Sequence, residues 1–122
     1  VGNLKSLRTV ADVRDAVRAY FMLVTIDPQK GEYYNIGGQL SAQVGEILDF
    51  LIGLSTIKEK YRIEIDPKRL RPIDADLQVP NTEKFMKHTG WEPKISFEKT
   101  MADLLNYWRE KVAAEGNKFL IR

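Results

Sequence analysis

Residues 4–27, LKSLRTVADVRDAVRAYFMLVTID, change their period part-way along, and that change frames the rest of the chain. LKSLRTV reads as extended backbone. From Asp12 onward, Val13, Ala16, Val17, Tyr20, Phe21 and Val24 recur at helical spacing, which predicts a helix with that stripe turned toward a core. Asp12 stands where an N-cap carboxylate accepts from the free amides of the first turn, and Asp15 adds an acid where the helix dipole favours one. Pro28 closes the helix, since its ring clashes with a continuing turn and it has no N–H to give.

Working outward, GEYYNIGG (31–38) reads as a short strand closed by paired glycines. Ser41 then stands as the cap of a second helix with Val44, Ile47, Leu48, Leu51 and Ile52 as its buried stripe. Each such side chain contributes about 1.5 to 3 kcal/mol if fully buried, so these two helices are expected to supply most of the core. YRIEID (61–66) alternates Tyr61, Ile63 and Ile65 against Arg62, Glu64 and Asp66, the pattern of a half-buried strand ending at Pro67. IDPKRLRPIDADLQVP (65–80) is too rich in proline for a helix or a central strand. A short helix follows from Asn81 to Thr89, stopped by Gly90. Ser96 caps a last helix with Phe97, Met101, Leu104, Leu105, Trp108 and Val112 inward, and the tail AEGNKFLIR reads as loose.

Composition bounds the possible functions. The chain has 122 residues, 43% hydrophobic and 30% charged, the balance of one ordinary globular unit. No apolar run approaches the roughly 18 residues that cross a bilayer, so no membrane partner is expected. A net charge of +2, with basic and acidic residues interspersed, gives nucleic-acid binding little support. Cysteine is absent, which excludes disulfides and thiolate metal sites and fits a reducing, cytoplasmic setting. Two or three short strands do not make a stable sheet alone, and no methionine opens the chain. Residues 1–122 therefore read as a single region of something larger.

Four segments carry a resemblance. LRTVADVRDAVRAY (7–20), YYNIGG (33–38), RPIDADLQVPNTEKF (71–85) and TGWEPKISFEKTMADLLNYW (89–108) follow one another as motifs do in the C-terminal portion of extended short-chain dehydrogenases/reductases. These belong to the NAD-dependent epimerase/dehydratase group that remodels nucleotide sugars, and the likeness within it is to GDP-mannose 4,6-dehydratases. The resemblance implies an α/β fold: the substrate-binding lobe of an extended Rossmann-type enzyme, mostly helical with a few short strands. It further implies an amino-terminal half, outside these residues, that holds NADP and the catalytic residues. On this resemblance the whole enzyme would oxidise C4 of GDP-mannose, eliminate water across C5 and C6 and return the hydride to C6, giving GDP-4-dehydro-6-deoxymannose. Such enzymes commonly pair, so a homo-oligomer is expected.

The resemblance also assigns a substrate site. Arg8 and Arg71 match the family arginines that reach the diphosphate, and Asp74 matches the acid that accepts from ribose hydroxyls. The chemistry suits them: a planar guanidinium meets phosphate oxygens through paired charge-assisted bonds, and a carboxylate offers two acceptors to two hydroxyls. Pro72 restricts the backbone of Arg71 to extended conformations. This chain departs from the family in having Thr9 and Val10 where an aspartate and an aromatic are frequent, and Asp12 where a histidine is frequent.

Plainer readings stand beside these. Arg8 could pair with Asp12 or Asp15, and Arg71 with Asp74 could form a solvated turn. Lys68 and Arg69 read as surface charges, His88 as a cation in a last helical turn, and Trp91 and Trp108 as packing residues. Tyr107 and Lys111 spell the Y-x-x-x-K of the family's catalytic dyad, but on the last helix, where chance explains the match. No glycine-rich dinucleotide turn is present, so neither catalytic nor cofactor residues are assigned within the chain, and no metal ligands. Two alternatives are an epimerase or reductase acting on another nucleotide sugar, and a free-standing interaction module with exposed apolar helix faces.

Overall fold

The computed structural model describes residues 1–57, 61–70 and 76–119. In chain order these form β1 (Leu7–Val10), α1 (Val13–Thr25), β2 (Leu40–Gln43), α2 (Val44–Gly53), a 3-10 turn (Pro67–Arg69), β3 (Leu77–Gln78), α3 (Glu83–Thr89), α4 (Phe97–Glu115) and a second 3-10 turn (Gly116–Phe119). The architecture is α/β, mostly helical around one small sheet, as expected. Among the described residues no helix is long and apolar enough to cross a membrane.

The sheet runs in the order β2-β1-β3. β2 lies antiparallel to β1, setting Arg8 opposite Ala42 and Thr9 opposite Ser41. β3 lies parallel on the other side, with Arg8 opposite Gln78. The hydroxyls of Thr9 and Ser41 hydrogen-bond at 2.7 Å across the antiparallel pair. Ser41 is thus a strand residue and not a helix cap. The cap of α2 is Gln43, whose amide donates to the Glu46 carboxylate at 2.7 Å, the returning half of a capping box.

The central helix turns the opposite way from expectation. Val13, Val17, Tyr20, Phe21 and Val24 are 59% to 71% exposed, whereas Asp15 and Ala19 are buried. Ala19 packs with Phe85 of α3 and with Trp91, and Met22, Leu23, Tyr34 and Ile36 close around them. Periodicity correctly found a helix, but α1 has two apolar faces, and spacing alone does not say which of them the chain covers. Asp15 decides it. Its carboxylate accepts from the amides of Lys94 and Ile95, both at 2.9 Å, and its carbonyl accepts from the Trp91 indole at 3.1 Å. These bonds draw that face against the 91–95 segment. The buried cluster therefore comes from α1, α3 and Trp91, and no side chain of α2 is fully buried.

Two expected strands are absent. Residues 32–38 form no ladder, and the strand in this region follows the glycines. Gly37 and Gly38 serve close packing: a Cβ on Gly37 would stand 2.9 Å from Pro80, and one on Gly38 only 1.6 Å from the Val10 carbonyl. Residues 61–66 likewise form no strand, and Tyr61, Ile63 and Ile65 are exposed. Their backbone meets Val1, through Val1 donating to the Glu64 carbonyl at 2.8 Å and Asp66 donating to the Val1 carbonyl at 2.9 Å. Alternation of side chains makes a strand possible, but a neighbouring edge is what forms one.

The later helices start and stop where their punctuation places them. Asn81 accepts from the Glu83 amide at 2.9 Å, and Gly90 ends α3 in the left-handed region at φ 70°. Ser96 accepts from the Lys99 amide at 3.3 Å at the head of α4. Met101 is the buried residue of α4, and Phe97 packs on Phe50 of α2 with ring centroids 5.1 Å apart. Leu104 and Trp108 are exposed, so Trp91 is the packing tryptophan and Trp108 is not. Of the tail expected to be loose, residues 114–119 take up the end of α4 at Glu115 and the 3-10 turn, and residues 120–122 lie outside the described residues.

Candidate functional site

Arg8 lies in the middle strand of the sheet, half-buried, with one guanidinium nitrogen donating to the Leu7 carbonyl at 3.0 Å. Its neighbour Leu7 donates to the Asp76 carbonyl at 2.8 Å, which joins β1 to the start of β3. Arg71 and Asp74 lie outside the described residues. Lys68 and Arg69 occupy the exposed 3-10 turn, where the Asp66 carboxylate accepts from the Lys68 amide at 3.0 Å.

The acids that might have paired with Arg8 are engaged elsewhere. Asp12 caps α1 by accepting from the Arg14 amide, takes the Arg14 guanidinium through two contacts of 2.8 Å, and accepts from the Thr100 hydroxyl at 2.8 Å. Arg14 holds the Asp12 carboxyl far below the usual carboxylate range, against the opposing effect of burial. The same arginine reaches Asp103 of α4 at 2.7 Å, and Lys99 meets Asp103 at 3.0 Å. Burial pushes the Asp15 carboxyl up, but Arg18 and the Ile95 and Lys94 amides outweigh it, so the group lies below its ordinary value. Arg18 donates to Asp15 at 2.8 Å and also to the Glu92 carbonyl. Through Thr100, Asp12 fastens the exit of β1 to the last helix.

Tyr107 and Lys111 lie one turn apart on α4. Tyr107 is half exposed and packs edge-on against Trp108, 5.5 Å between centroids. Lys111 donates to Glu115 at 2.7 Å, and this bond raises its pKa.

A cluster around His88 went unseen in the sequence. Tyr34 and His88 Nδ1 are 2.5 Å apart, and His88 Nε2 donates to the Asp27 carbonyl at 3.0 Å. A shallow cavity of about 470 Å³ opens there, lined by Asp27, Glu32, Tyr34, Lys84, Lys87 and His88. Its charges are paired locally: Lys84 meets Glu32 and stands 4.8 Å from the Tyr34 ring centre, and Lys87 meets Glu83 at 3.2 Å. The arrangement pins the loop after α1 to α3. Spacing gave no signal, because Tyr34 and His88 are 54 residues apart.

No described segment fits a dinucleotide. Gly37 and Gly38 lead into a strand and not into a helix N-terminus, and the Val10 carbonyl already fills the space beside Gly38.

Residues 1–104 match the family profile described as GDP-mannose 4,6 dehydratase. The chain belongs to that family. GDP-mannose 4,6 dehydratase 1 of Arabidopsis thaliana is 30% identical over 120 residues, covering 94% of this chain and 33% of the relative. GDP-6-deoxy-D-mannose reductase of Pseudomonas aeruginosa is 24% identical over 115 residues, covering 94% of this chain and 37% of the relative. Among solved structures, UDP-glucose 4-epimerase of Thermotoga maritima with UDP-glucose superposes with a TM-score of 0.77 at 25% identity, over 91% of this chain and 34% of that one. RMD of Pseudomonas aeruginosa complexed with NADPH gives 0.75 at 22% identity, over 92% and 36%. The chain thus has the fold of Rossmann-type nucleotide-sugar enzymes and spans about a third of the length of the curated relatives it matches.

Proposed function

We propose that residues 1–122 are the C-terminal substrate-binding region of a GDP-mannose 4,6-dehydratase, a lyase that removes water from GDP-mannose to give GDP-4-dehydro-6-deoxymannose. The observation that carries this reading is the family match over residues 1–104. Arg8 and Arg71 hold the diphosphate between them and Asp74 takes the ribose hydroxyls. In support, Arg8 is half-buried in the middle strand of the sheet, opposite Gln78 of β3. NADP and the catalytic residues belong to the amino-terminal part, and the chain alone is inactive. The complete enzyme works in the cytoplasm as a homo-oligomer.

Thermal unfolding of the complete polypeptide with GDP, GDP-mannose and UDP tests this. A ligand at 100 times its dissociation constant stabilises by about 2.7 kcal/mol, so GDP and GDP-mannose raise the midpoint and UDP does not. A response to UDP without GDP overturns the choice of substrate. That outcome selects the epimerase reading, which the Thermotoga maritima superposition favours. No response to any nucleotide selects the interaction module, which the bare face of α1 favours.

A further inference from the structure

We draw no further inference here: the strongest candidate, the shallow cavity around His88 between α3 and the loop after α1, has its lysines and both His88 ring nitrogens engaged by neighbouring residues, and nothing in the structure shows what it would bind.

Discussion

Asp15 shows how much one side chain can organise. It is 2% exposed, and its carboxylate gathers Arg18 and two backbone amides from a segment about eighty residues away. Replacing it with alanine strands those donors, and breaking a buried charged cluster costs about 3 to 5 kcal/mol, which urea unfolding of the chain at pH 7 should show. The sign of its pH dependence follows from the direction of its shift. Because the folded carboxyl titrates below its ordinary 3.8, its stabilising effect is present above that value and is lost as pH falls through the folded pKa. Asp12 adds to the same trend. The urea midpoint should therefore drop steeply below about pH 4, and Asp15→Asn should flatten that drop. Gly38 is the second sensitive residue: alanine there puts a methyl 1.6 Å from a backbone oxygen. Over-packing costs about 1 to 3 kcal/mol where side chains give way, and here the obstacle is main chain, so Gly38→Ala should exceed that range in the same assay.

Among the elements, caps were the most reliable part of the sequence. Asp12, Ser96 and Gly90 announce their helix ends through local chemistry that needs nothing beyond a turn of backbone. Ser41 misled because its hydroxyl found Thr9 across a strand pair, a partner 32 residues away. Strands were the least legible. YYNIG and YRIEID have the right alternation, but a ladder needs an edge, and local sequence does not specify one. The inward face of α1 was hidden for a related reason, since only Trp91, Lys94 and Ile95, far along the chain, select it. Of the candidate site, the extended backbone at Arg8 was legible, and the commitment of Asp12 and Asp15 to Arg14 and Arg18 was not. The tie between α1 and α4 is testable at this scale. Thr100→Val should cost about 1 kcal/mol, and combining it with Asp12→Ala should give less than the sum, because both remove the same bond.

At the scale of the whole molecule, a chain spanning about a third of the length of its relatives carries the arginine proposed for substrate and a bare helix face together. Arg8→Ala in the complete polypeptide should remove about 1.5 to 3 kcal/mol of GDP binding, the range for a hydrogen bond to a charged group. A thermal scan with and without GDP, read as the shift that GDP causes in each protein, checks it.

The bonds from α1 to residues 91–103 join the first quarter of the sequence to the last third through Asp12, Arg14, Asp15 and Arg18. A cut between these two stretches should leave the halves clasped. Made as separate peptides divided after Ser55, they should find each other and co-elute as one species, and loss of Asp15 should let them drift apart.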